Sequence, residues 1–198
     1  MLIDLFPVTV HLSEVKNHEK IKEICMNYVD KAYDVSPSTF MDPWDADVFT
    51  TFGQKIDLAW DQIMPNYLEN ITDLAQSLGI VGRPAVTDMW LNAYKTNQNQ
   101  EVHDHSPGHF SAIHYIKYDS EEHLPTIFIN PYKQASISNK PTFQTDIDQV
   151  PQTWISQSYI RVKEGDLLIF PSFFEHKVPR QKSDKMRVTL SFNLNFIP

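Results

Sequence analysis

The sequence predicts an α+β fold, with an N-terminal helical part followed by a β-rich half, and three observations predict it. Two stretches before residue 80 carry apolar residues at helical spacing. From residue 83 onward the texture changes to about eight short runs of aromatic and β-branched residues, broken by Pro, Asn, Asp and Gly, which read as a sandwich or barrel. The 198 residues, 41% hydrophobic and 21% charged, have an ordinary globular composition and suffice for one domain with one main core. The expected layout is a single domain over 1–198. An N-terminal strand and helices occupy 1–82, and a β core carrying the chemistry occupies 83–198.

Residues 5–15 alternate loosely and read as an opening strand with Pro7 near its edge. Ile21, Ile24, Cys25, Tyr28, Val29 and Ala32 then repeat at i, i+3, i+4 and i+7, the stripe of a helix with one buried face. Residues 34–54 lose periodicity and carry Pro37, Pro43 and Gly53, so a loop is expected there. The aromatic residues Phe40, Trp44, Phe49 and Phe52 point to an ordered flap that could serve as a lid. A second helical stripe runs from Ile56 through Ile63, Tyr67, Ile71 and Leu74 to Leu78. Pro65 should kink it or start a new helix, and Gly79 stands where a C-terminal cap belongs. Strands are expected over 86–95, 109–118, 124–130, 135–138, 158–162, 166–171, 174–178 and 186–196.

The formal net charge is -8, which argues against a duplex-DNA partner held by phosphate contacts. A single cysteine, Cys25, excludes an intrachain disulfide framework and a Cys-rich zinc module. No run approaches the roughly 20 apolar residues of a membrane span, and the first residues lack a signal-peptide pattern. A reducing cytoplasm is the expected compartment.

Eight histidines stand against that one cysteine, and five of them fall between residues 103 and 123. In an extended chain His103 and His105 point to one face, with Asp104 facing away unless a bulge turns it in. Downstream, Gly165–Ser172 reads as a strand ending in Pro-Ser that then delivers His176. Arg187, Thr189, Ser191 and Asn193 alternate along an otherwise apolar strand, which marks an inward polar face. Two histidines near one strand and a third from a distant one make a facial set with open coordination positions, suited to Fe, Zn, Cu or Ni. An arginine some ten residues beyond the last ligand is placed to pair with a carboxylate, and Thr189 or Ser191 would complete that clamp.

These residues resemble a known family. Trp90-Leu-Asn92, His103-Asp-His105, Phe110-Ser-Ala-Ile-His-Tyr115-Ile, Phe128-Ile-Asn-Pro131, Gly165-Asp-Leu-Leu-Ile-Phe-Pro-Ser172, His176 and Arg187-Val-Thr-Leu-Ser-Phe-Asn193 occur in the order seen in 2-oxoglutarate/Fe(II)-dependent oxygenases. The likeness is to the bacterial and marine-phage branch of the prolyl-hydroxylase-like superfamily, and it spans roughly residues 86–196. The resemblance implies a double-stranded β-helix (jelly-roll) core with the helices packed on its outer face. It also implies Fe(II), 2-oxoglutarate and O2, with the far carboxylate of 2-oxoglutarate on Arg187 and oxidation, most often hydroxylation, that releases succinate and CO2. The phage-like character extends the expected compartment to the cytoplasm of a virus-infected host cell.

One departure stands out: the superfamily pattern is His-x-Asp or His-x-Glu, and here the third position is His105. Metal ligands are therefore His103, His105 and His176, with Asp104 as the alternative to His105. Asn92 and Tyr115 are further candidates for contact with 2-oxoglutarate. His109, His114 and His123 are read as surface or hydrogen-bonded residues. Lys177, Arg180, Lys182 and Lys185 form a solvated basic loop that could also guide an anion. The substrate stays open among a small molecule, a protein side chain and a nucleobase, as does the oligomeric state. Two rival readings use the same residues: a cupin-type metalloenzyme without 2-oxoglutarate, and a non-enzymatic jelly-roll binding or structural module.

Overall fold

The computed structural model describes residues 8–33, 39–40, 46–132 and 155–198. Pro7 and the strand expected over 135–138 lie outside the described residues. The described elements are β1 (His11–Glu14), α1 (His18–Tyr33), β2 (Thr39–Phe40), β3 (Asp47–Thr50), α2 (Trp60–Ile63) and α3 (Leu68–Leu78). The β core follows as β4 (Arg83–Tyr94), β5 (Gln100–His103), β6 (Phe110–Lys117), β7 (Ile127–Ile129), β8 (Gln157–Tyr159), β9 (Asp166–Pro171), β10 (His176–Val178) and β11 (Arg187–Ile197). Among the described residues the strands form a major sheet, ordered β1-β9-β6-β11-β4-β3-β2, and a minor sheet, ordered β5-β10-β7-β8. All their pairings are antiparallel.

Strand alternation builds the core in two layers. On one face of the major sheet Leu91, Ala93, Ala112, Ile116, Leu167, Ile169, Val188, Leu190 and Phe192 meet the helices. The α1 stripe supplies Ile21, Cys25 and Val29, all fully buried. From the second stripe come Ile63, Tyr67, Ile71 and Leu74. Burying each such side chain stabilises the fold by about 1.5–3 kcal/mol. The opposite face of the same strands carries Arg187, Thr189, Ser191, Asn92 and Trp90, turned toward the minor sheet. The fold thus places an apolar layer outside and a polar cavity inside. Among the described residues no helix is long and apolar enough to cross a membrane.

Three local expectations need correction. The flap expected over 34–54 contains a strand instead. β3 joins the major sheet beside β4, with Phe49 opposite Ala93 and Thr50 opposite Asn92, because Val48-Phe49-Thr50 is a β-branched and aromatic run. The second helical stripe starts later than expected, since residues 56–59 are non-helical; the break expected at Pro65 is present, as a 3-10 turn at Met64–Tyr67 that separates α2 from α3. Pro65 stands at the start of that turn, where its missing N–H costs no hydrogen bond. Gly79 does cap α3, in the left-handed region at φ 65°, with its N–H shared between the carbonyls of Ala75 and Gln76. Finally, the chain before His103 is itself a strand, β5, which was not expected as a separate element.

Candidate active site

β5 and β10 lie side by side in the minor sheet, with His103 directly opposite His176. Their ring centroids are 4.3 Å apart, and the ring of His105 lies 5.1 Å from the first and 5.2 Å from the second. One ring nitrogen from each of the three comes within 4.8 Å of the others. His105 itself lies beyond the end of β5. Its N–H donates to Ser172 O at 2.8 Å, and Gly108 N–H donates back to His105 O at 3.1 Å. Gly108 is required at this crossing, since a Cβ there would stand 2.9 Å from Ser172 Oγ.

Two of the rings are oriented by backbone carbonyls. His103 Nδ1 lies 2.8 Å from Glu101 O, and His176 Nδ1 lies 3.0 Å from Phe174 O. A carbonyl can only accept, so each Nδ1 carries the proton and each Nε2 keeps its lone pair. This is the tautomer a metal ligand needs. Burial keeps the rings neutral. It lowers His103, and it pushes His105 down to about 4 with help from His103. His176 is held well below the ordinary histidine range by burial and by both neighbours. The donor set therefore fits a divalent transition metal with no protons to displace.

Asp104 is exposed and turned the other way, and its Oδ1 accepts the N–H of Ser106 at 2.8 Å. The geometry brings His105, and not Asp104, to the other two histidines.

The same cavity holds Arg187, Thr189, Ser191, Asn92 and Thr126. Arg187, the first residue of β11, is 1% exposed. Its Nη2 donates to Thr126 Oγ1 at 3.1 Å, while Nε and Nη1 are buried without a protein acceptor among the described residues. The rings of Tyr94, Tyr115 and Tyr118 surround the guanidinium at 5.1, 5.5 and 5.9 Å. A buried cation with two free donors, and among the described residues no carboxylate paired with it, is costly, and an anionic ligand would relieve that cost. Asn92 is engaged differently: oriented to suit its neighbours, its amide donates to Thr50 Oγ1 at 2.7 Å and accepts from Trp90 Nε1 at 3.1 Å. Tyr115 donates to Thr126 Oγ1 at 3.2 Å.

The other histidines sit elsewhere. His123 Nδ1 accepts from Asp119 N–H and its Nε2 donates to Lys185 O. His109 Nδ1 accepts from Phe196 N–H at the surface. His114 is fully buried on the helix side of the sheet, between Tyr67 Oη at 2.7 Å and His18 Nδ1 at 3.0 Å, and is pushed down to about 3 by burial and then by His18. In the basic loop Lys185 pairs with Glu122 and Arg180 donates to Asn97 O. The sequence reading missed Thr126 and Gln100. Nothing in the pattern around Pro125 shows that Thr126 faces the arginine.

The model of the family described as "Putative 2OG-Fe(II) oxygenase" matches residues 88–193, more than half of the chain. No curated protein sequence matches it. Among solved structures, a Pseudomonas putida prolyl-4-hydroxylase is similar with 11% identity and a TM-score of 0.55, over 96% of this chain and 94% of that one. The viral collagen prolyl hydroxylase of Paramecium bursaria Chlorella virus-1, solved as a 2OG complex, is similar with 10% identity and a TM-score of 0.56, over 93% and 95%. HygX from Streptomyces hygroscopicus, solved with nickel and 2-oxoglutarate, shares 12% identity with a TM-score of 0.57, over 95% and 83%. At such identities the likeness bears on the fold, which is the double-stranded β-helix expected from the sequence.

Proposed function

Because the chain belongs to the 2OG-Fe(II) oxygenase family, and so is an oxygenase that uses Fe(II), 2-oxoglutarate and O2, we propose that His103, His105 and His176 hold the iron and that Arg187 holds the far carboxylate of 2-oxoglutarate. Bound iron and 2-oxoglutarate supply the O2-dependent C–H oxidation typical of the family. In the proposed reaction 2-oxoglutarate, O2 and a substrate C–H yield succinate, CO2 and the hydroxylated substrate.

The chain's own residues bind, orient and exclude water. Glu101 O and Phe174 O fix two imidazole tautomers, and Phe170 packs edge-on against His176 with centroids 4.9 Å apart. Thr126 and the three tyrosines hold the guanidinium in the cavity, with Nε and Nη1 left without an acceptor among the described residues. Thr189 and Ser191 lie on the same inward face of β11, two and four residues on, and line the same cavity. The observation that carries the reading is the buried, acceptor-free side of Arg187 in one cavity with three converging neutral imidazoles.

The test is succinate formation by the purified chain. It should require both added Fe(II) and 2-oxoglutarate, and it should be lost on substitution of His176 or Arg187. Iron binding together with 2-oxoglutarate affinity indifferent to Arg187 would overturn the cosubstrate assignment and favour a metalloenzyme that does without it.

A further inference from the structure

A second chamber shares Trp90, Gln100 and His105 with the cavity just described and does not reach Arg187. It is a recess open to solvent, with about 330 Å3 of empty space when the solvent at its mouth is included, and Val48, Thr50 and Phe52 form its other side. Strand alternation creates it. Phe49 of β3 packs among the helix-facing residues, so Val48 and Thr50 turn inward beside β4. Phe52 follows the strand and meets Trp90 edge-on, with centroids 5.0 Å apart.

The chemistry of the lining is selective. Among the described residues no Asp, Glu, Lys or Arg borders the chamber. Against these lining residues a charged group would lose hydration without gaining an ionic partner. Thr50 Oγ1 is already engaged by the N–H of Phe52. Gln100 is different: its Oε1 accepts from Tyr94 Oη at 2.8 Å, which leaves the amide NH2 as a donor on the wall between the two chambers.

We propose that this chamber receives the part of the substrate to be oxidised, that this part is uncharged and mainly apolar, and that it carries a hydrogen-bond acceptor for the Gln100 amide. The inference rests on the metal and cosubstrate assignment above, because His105 is what joins the chamber to the reacting centre. Phe52 and Gln100 are then the specificity-determining residues. Phe52 supplies the apolar wall, and Gln100 rewards a carbonyl or amide oxygen.

The experiment uses the chain loaded with Zn(II), which is redox-silent, and 2-oxoglutarate. It measures the binding of benzamide, benzoate, benzylamine and toluene by isothermal titration or saturation-transfer NMR. Benzamide should bind at least about tenfold tighter than either charged probe. Gln100→Leu should weaken benzamide about three- to tenfold and leave toluene unchanged, the effect of one lost hydrogen bond. Phe52→Leu should preserve both neutral probes, and Phe52→Ala should weaken both. Equal binding of charged and neutral probes, or benzamide binding indifferent to both Gln100→Leu and Phe52→Ala, overturns the proposal. The same series on the metal-free chain reads the chamber alone. Failure of 2-oxoglutarate to load counts against the cosubstrate assignment, and loss of the neutral preference counts against the chamber.

Discussion

Replacing Arg187 with Met separates a ligand-binding arginine from a structural one. The side chain is 1% exposed, and its Nη2 donates to Thr126 Oγ1 at 3.1 Å. Removing one partner of a buried ion pair typically costs about 3–5 kcal/mol, because a charge is left behind. No such partner exists here among the described residues, so Met leaves no orphaned charge. Thr126 keeps the hydroxyl of Tyr115 as a donor. The lost contacts with three tyrosine faces, each worth about 0.5–2 kcal/mol, are offset by the relieved desolvation of the guanidinium. The metal-free protein should therefore change in unfolding free energy by less than about 2 kcal/mol.

Binding of 2-oxoglutarate should respond very differently. Two charge-assisted hydrogen bonds from the guanidinium, at about 1.5–3 kcal/mol each, correspond to an affinity loss of about 10²- to 10⁴-fold. Urea unfolding of the metal-free protein and calorimetric titration of the Zn(II)-loaded protein with 2-oxoglutarate measure the two quantities. A variant that is strongly destabilised yet binds 2-oxoglutarate normally would refute the reasoning and make Arg187 a structural residue.

Four further outcomes follow from the same geometry. His105→Ala should lower metal affinity by more than about tenfold, whereas Asp104→Ala, which removes the contact with Ser106 N–H and an outward-facing charge but no converging donor, should change it by less than about threefold in a competition titration with a chelator. The metal-free protein should lose stability as pH falls from about 6.5 toward 3: the unfolded chain protonates its histidines first, while His105 resists to about 4 and His114 to about 3. Each unit of that gap is worth about 1.4 kcal/mol at the acid end, so a flat stability profile between pH 7 and 4 would contradict the burial of these rings. Gly108→Ala should weaken metal binding with little change in 2-oxoglutarate affinity per loaded site, since its Cβ displaces Ser172 or the turn that holds His105. Tyr67→Phe should destabilise the fold by about 1–3 kcal/mol and leave metal affinity untouched, because His114 Nδ1 loses its partner on the helix side of the sheet.

Much of the site was legible because its chemistry follows strand periodicity. Arg187, Thr189, Ser191 and Asn193 repeat every second residue in an apolar strand, and β11 indeed turns the first three into the cavity. His103, His105 and His176 were visible as a spaced set. The reason for their convergence was not. His105 sits past the end of β5, so strand alternation does not aim it; the crossing of its turn over Ser172 does, and Gly108 permits that approach. The opposition of His103 and His176 is a pairing across 73 positions, and only topology reveals it. β3 escaped notice because its short β-branched run is embedded among Pro and Asp residues that signal a loop. Thr126 and Gln100 were hidden for a related reason: each acts through a side chain whose direction depends on a partner, Arg187 or Tyr94, far from it in sequence or packed across the barrel. The first helical stripe was readable, and in the second Pro65 marked the break correctly while residues 56–59 proved non-helical.

The most direct measurement is a crystal structure of the chain loaded with metal and 2-oxoglutarate, with the metal located by anomalous scattering. The account predicts one ion bonded to Nε2 of His103, Nε2 of His176 and a ring nitrogen of His105, and the far carboxylate of 2-oxoglutarate paired with the guanidinium of Arg187 beside Thr189 or Ser191. A metal ligated by Asp104, a metal bound away from these histidines, or 2-oxoglutarate lying elsewhere than on Arg187 would contradict it.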